Sequence, residues 1–140
     1  MSKPHFHVTA GLLWKDGKLL ITKRPPGSHL AGYWEFPGGK QEPNESLERC
    51  LEREIKEELG IAIKVQRHII QVDHEYENKS ISLHLFQCSI ISGEPHPLEC
   101  DGMKWVLPEH LSEYPLPPPD YHVLLRLKGW GKSHGMEQDT

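Results

Sequence analysis

Glu54, Glu57 and Glu58 fall within five consecutive positions of the run "WEFPGGKQEPNESLERCLEREIKEELGI", Trp34 to Ile61, which holds eight glutamates. Like charges one turn apart cost a helix roughly a few tenths of a kcal/mol per pair, so something beyond helix propensity must offset their repulsion. With only carboxylates to offer, the cluster suits a hard cation, Mg²⁺ or Mn²⁺, rather than zinc. Gly38 and Gly39 lie just upstream, where a backbone without Cβ atoms can bring a carbonyl close to such an ion. Arg53 can orient a carboxylate through a two-pronged pair. An acidic site repels polyphosphates until metal ions reverse its sign; the ions then clamp phosphoryl oxygens and activate water. These residues point to metal-assisted phosphate chemistry.

A helix must carry these side chains. The pattern places its start near Asn44, an N-cap residue, and its end at Leu59 with Gly60 as the closing glycine. Leu47, Leu51, Ile55 and Leu59 form the buried stripe at helical spacing. The reactive glutamates border that stripe rather than oppose it, although Glu48 falls near it as well. Around this helix, "FHVTAGLLWKDGKLLITKRP" reads as two strands joined at Asp16-Gly17, a tight-hairpin dipeptide. "PPGSHLAGYW" is a loop and "EFPGGK" a turn. "IKVQRHIIQVDHEY" and "SISLHLFQCSII" form a second antiparallel pair, "MKWVL" a short strand, and "DYHVLLRLKG" a helix ended by Gly129. Strands before, between and after two helices predict an α/β domain with a mixed sheet covered by helices. We expect one domain over residues 1–129 and a flexible tail over 130–140.

Composition removes several function classes. Sixteen basic and twenty acidic side chains, without a basic block, exclude a polymeric nucleic-acid surface. The three cysteines lack metal or disulfide spacing and fit a reducing cytoplasm, and no apolar run reaches membrane-spanning length. The expected protein is cytoplasmic, with no membrane partner. Ten histidines are scattered, and only His5 and His7 share one strand face, so they read as solvated or structural imidazoles.

Gly39, five residues, Glu45, seven residues, Arg53-Glu54-Ile55, one residue, Glu57-Glu58, one residue and Gly60-Ile61 match every position of the Nudix box. With "EFPGGK" before it, the chain resembles the MutT branch of that family from about His5 to about Lys128. The resemblance implies an α/β/α sandwich with a mixed central sheet. It also implies Mg²⁺-dependent cleavage of a nucleoside triphosphate to the monophosphate and pyrophosphate. By that likeness the Gly39 carbonyl, Glu54, Glu57 and Glu58 bind metal, one glutamate also handles the attacking water, and Arg53 and Glu45 hold loop and helix in register. Likewise Arg24 contacts the nucleotide, and His29, Phe36 and Tyr76 lie near the base.

Two positions depart from MutT. Asp120 stands where MutT has an Asn; an ionised Asp only accepts hydrogen bonds, which suits the cytosine amino group or the guanine N1–H and N2 amino edge, whereas a protonated one imitates Asn toward 8-oxoguanine. Its plain alternative is capping the last helix. Lys104 replaces a Glu before the tryptophan of "LECDGMKWV", and neither Glu99 nor Asp101 matches that position. The expected function is MutT-like 8-oxo-dGTP hydrolysis in nucleotide-pool sanitation, with CTP or dCTP pyrophosphohydrolysis as the alternative. A non-catalytic base-reading module, like the C-terminal part of MutY glycosylases, is the alternative of another class. Residues 62–94 contain no proline, unlike the usual signatures of ADP-ribose or NADH hydrolysis. Oligomeric state is not legible.

Overall fold

A computed structural model describes residues 3–134, with side chains described as far as residue 127. In chain order the elements are β1 (His5–Leu12), β2 (Trp14–Lys15), β3 (Lys18–Lys23), β4 (Trp34–Glu35), β5 (Gly38–Lys40), α1 (Leu47–Leu59), β6 (Ala62–Glu75), β7 (Ser80–Ser92), β8 (Met103–Val106), a 3-10 turn (Pro108–Glu113) and α2 (Pro118–His134). The strands form two sheets. One has the order β5-β1-β7-β6 and is mixed, because β1 runs parallel to β7 while β5 and β6 pair antiparallel. In the other, β3 pairs antiparallel with β2, β4 and β8.

The expected hairpin is only partly present. Asp16 (φ 53°) and Gly17 (φ 76°) both adopt positive φ, as a two-residue turn of the primed class requires, but the strand entering the turn is β2 alone. β1 leaves the hairpin and pairs instead with β5 and with β7, more than seventy residues downstream. Local pattern could not reveal this choice, because β1 is stabilised by partners remote in sequence.

Helix α1 packs its buried stripe as expected. Leu51, Ile55 and Leu59 are fully buried with Cys50, in a cluster shared with Leu13, Leu20, Phe86 and Cys88. Each such aliphatic side chain contributes about 1.5–3 kcal/mol on burial. A second cluster joins Val123, Leu124 and Leu127 of α2 to Ala10, Leu12, Leu83 and Leu85. Alternate residues of β1 and β7 thus feed two helix-covered layers, giving the α/β/α arrangement.

Three boundaries differ from expectation. Ser46, not Asn44, caps α1 by accepting the Arg49 N–H at 3.1 Å, while Asn44 sits at φ 67° in the preceding turn. Asn tolerates the left-handed region, so it served the turn and left the cap to serine. Gly60 (φ 72°) closes the helix as expected. Helix α2 starts at Pro118 and continues through Gly129 to His134, since a single glycine weakens a helix without having to end it. Of the anticipated tail, residues 135–140 lie outside the described residues. Among the described residues no helix is long and apolar enough to cross a membrane.

Candidate functional site

Arg53 organises the start of the site. Its Nε and Nη2 donate to the two oxygens of Glu45 at 3.0 and 2.7 Å, and Nη2 also reaches the Lys40 carbonyl at 3.1 Å. Its Nη1 donates to Glu54 at 3.0 Å and Glu57 at 3.3 Å. One guanidinium therefore ties the strand β5, the turn after it and the helix α1 together. The Arg53 bonds, with the Glu42 N–H at 2.8 Å, pull the Glu45 carboxyl down to about 2.

Gly39 lies directly under Glu54. A Cβ built on Gly39 would overlap the Glu54 carboxyl, and one on Gly38 would collide with the Thr9 carbonyl. Both glycines are thus set by close approach. The Gly39 carbonyl accepts the Thr9 hydroxyl at 3.1 Å from the neighbouring strand.

Glu58 has the opposite surroundings. Its Oε1 is buried without a hydrogen-bond partner, and so is Thr22 Oγ1. Burial, then the charges of Glu35 and Glu54, push the Glu58 carboxyl up to about 8, with the nearby Thr22 hydroxyl opposing part of the shift. Glu54 is also raised, chiefly by burial, against the pull of Arg53. Among the described residues no three His, Cys, Asp or Glu side chains are already gathered around one ion-sized point. Glu54 and Glu57 turn to Arg53, while Glu58 alone carries an orphaned buried oxygen. That orphan and the all-oxygen donor set fit a hard divalent cation.

A cavity of about 220 Å³ adjoins this edge and includes Gly39 in its wall. Arg24, His29, Phe36, Tyr76 and Asp120, named separately from the sequence, all line it. Arg24 is already engaged, pairing with Glu35 at 2.8 Å and donating through Nε to the His29 carbonyl of its own loop. The His29 and Tyr76 rings meet edge to face at 4.9 Å. Asp120 is buried in the first turn of α2, inside the helix rather than before it, and its Oδ2 accepts the Phe36 N–H at 3.0 Å. Burial, then the Glu35 charge, raise the Asp120 carboxyl to about 8. Glu35 is itself raised by burial, with Arg24 opposing.

A family model described as a NUDIX domain matches residues 9–126. The chain belongs to the Nudix family. Within it, this MutT-like Nudix hydrolase is 38% identical over 117 residues to the CTP pyrophosphohydrolase of Escherichia coli K12, covering 84% of this chain and 87% of that protein. It is 40% identical over 87 residues to the 8-oxo-dGTP diphosphatase of Proteus vulgaris, covering 61% and 78%. Among solved structures, the solution structure of the E. coli ORF135 protein superposes with a TM-score of 0.82 at 33% identity, covering 95% of each chain. The MutT protein from Methanosarcina mazei Go1 superposes at 0.85 with 28% identity, covering 94% and 99%.

Glu35, Lys40, Lys79 and Leu30 also line the Nudix cavity, and no sequence pattern marks them as a group. Glu35 sits on the two-residue β4, too short for a pattern to declare its partners. Lys104, the other departure from MutT, lies over the rings of Trp34 (5.8 Å) and Tyr114 (5.5 Å). Of the two acidic residues in its loop, Glu99 lies close enough to Glu58 to raise its pKa, while Asp101 approaches Lys23 at 4.0 Å.

Proposed function

We propose that this enzyme hydrolyses nucleoside triphosphates to the monophosphate and pyrophosphate, with an oxidised guanine nucleotide of the 8-oxo-dGTP type as its preferred substrate. The observation that carries the reading is one continuous site: the cavity holding Asp120 shares Gly39 with the glutamate edge of α1. A base seated against Phe36 and Asp120 would extend its phosphates toward Glu54, Glu57 and Glu58. Lys40 and Lys79 of the same wall supply positive charge to the phosphates.

Glu54, Glu57, Glu58 and the Gly39 carbonyl would hold Mg²⁺ or Mn²⁺. The bound cation would offset phosphoryl charge and acidify the attacking water. The rest falls to the protein. Arg53 keeps Glu54 and Glu57 beside the Gly39 turn, and Glu45 fixes Arg53 from the other side. Burial and the charges of Glu35 and Glu54 favour the protonated form of Glu58, and a cation at its orphaned Oε1 would restore the carboxylate that binds it.

Base choice rests on Asp120. Near neutral pH its carboxyl keeps its proton, so it offers both a donor and an acceptor. That pair matches the O6 acceptor and the N7–H donor that oxidation creates on guanine. Rates for 8-oxo-dGTP, dGTP, CTP and dCTP measured side by side with Mg²⁺ test this, with the oxidised nucleotide expected to have the highest kcat/KM. A second reading, CTP pyrophosphohydrolysis, is favoured by Glu35, which adds another acceptor to the same wall. The similarity to the E. coli CTP pyrophosphohydrolase also supports it. Fast CTP turnover beside poor 8-oxo-dGTP turnover would select it.

A further inference from the structure

Histidines that the sequence scatters over eighty positions meet on one face of the mixed sheet. His5 and His7 of β1, His84 of β7 and His68 of β6 form a row, with successive ring centroids 5.0, 5.3 and 6.0 Å apart. The row begins where the cover of α1 stops: Thr9, next after His7 on this face, still touches Cys50 of the helix at 3.4 Å. His5 is fully engaged, by Ser80 at 2.7 Å and Ser82 at 2.8 Å, and Ser82 in turn donates to Asp73 at 2.7 Å. His7 and His84 instead share one imidazole–imidazole hydrogen bond, Nδ1 to Nε2 at 3.0 Å, which an ion between the two nitrogens would replace.

We propose that His7 and His84 form a nitrogen-ligand site for a borderline divalent transition ion of the Zn²⁺ class, separate from the oxygen-ligand glutamates. Two imidazole nitrogens on one tetrahedral Zn²⁺, each bonded at about 2.0–2.1 Å, lie roughly 3.3 Å apart, so the observed pair needs only a slight opening and rotation. His84 is 7% exposed, and burial, then the charges of His7 and His68, hold its pKa below the ordinary value. It is therefore neutral at pH 7, as a ligand must be. Among the described residues no third His, Cys, Asp or Glu already shares the ion's position. Exposed His68, its ring centroid 6.0 Å from that of His84, would supply a third nitrogen by turning toward the pair, with water completing the shell. The Asp73 carboxylate, held low by Ser82 and Gln71, adds negative charge at the margin of the row. Nitrogen donors select Zn²⁺ or Ni²⁺ where the glutamates select Mg²⁺.

The test uses the untagged, metal-free full chain with millimolar Mg²⁺ present, titrated with Zn²⁺ against a chromophoric chelator. About one Zn²⁺ per chain should bind at micromolar concentrations. His7→Gln, at an exposed position, should weaken binding about tenfold or more, since even partners of metal ligands are worth 10- to 100-fold. His84→Gln should do the same, with far-UV circular dichroism confirming its fold, and Glu57→Gln should leave the Zn²⁺ affinity unchanged. Imidazole ¹⁵N shifts on Zn²⁺ addition should identify His7 and His84 in the unaltered protein. Absence of Zn²⁺ binding, equal affinity in His7→Gln, or loss in Glu57→Gln instead would overturn the proposal.

Discussion

The carboxylates around α1 occupy two opposite electrostatic settings. Glu45 has both oxygens on Arg53, and its pKa is driven down to about 2. Glu58, with one oxygen buried and unbonded, and Asp120, buried in the first turn of α2, have no cation bonded to them among the described residues, and both rise to about 8. The difference separates support from function. Charge that the protein neutralises internally holds the turn and helix together, whereas the carboxyls with no cation bonded to them are the ones proposed to meet a cation at one end and a base at the other.

The largest expected effect strikes the proposed cation ligands. Glu57→Gln removes one candidate cation ligand while keeping its shape, so Mg²⁺-dependent pyrophosphate release should fall about 10²–10⁴-fold with an unchanged circular dichroism spectrum. Retained activity would place the chemistry elsewhere. Next comes the compensated end. Arg53→Lys loses the planar fork that grips Glu45 and Glu54 together, so kcat should fall about 10- to 100-fold and Tm should drop. An effect on Tm alone would make Arg53 purely structural.

Asp120→Ala should cost the preferred base about 1–3 kcal/mol in kcat/KM, roughly 5- to 150-fold, and less for other bases, because the proposed hydrogen bonds from Asp120 to that base are lost. A uniform loss over all nucleotides would instead point to general damage. The smallest effect is on stability. The folded pKa of Asp120 lies above its ordinary value of 3.8, so the fold favours its protonated form. That contribution is whole below about pH 4 and is lost as pH rises to about 8. Asp120→Asn removes this dependence. Its Tm should therefore exceed that of the parent at pH 9 by several degrees, at about 4 °C per kcal/mol, and converge with it toward pH 4.

Legibility in the sequence followed the same division. The helix and its buried stripe could be read from local spacing, and the Arg53–Glu45 support from the Nudix-box resemblance, because all of them lie within one run, Gly39 to Gly60. The cavity residues were named one by one from resemblance, yet their meeting depends on contacts such as Phe36 with Asp120, 84 positions apart. Nothing local announced that Arg24 would be engaged by Glu35 and by its own loop, or that β1 would abandon its hairpin for β7. The histidine row was unreadable for the same reason. His5 and His7 alternate on one strand, but His84 and His68 join them only through the register of β1 with β7 and of β7 with β6.

Product identification tests the central claim most directly. The protein is incubated with a nucleoside triphosphate and Mg²⁺, and all phosphate-containing products are separated by ion exchange. The monophosphate and pyrophosphate should appear in equal amounts, with neither above background for Glu57→Gln. Release of diphosphate and inorganic phosphate, or an undiminished rate in the Glu57→Gln protein, would contradict the account.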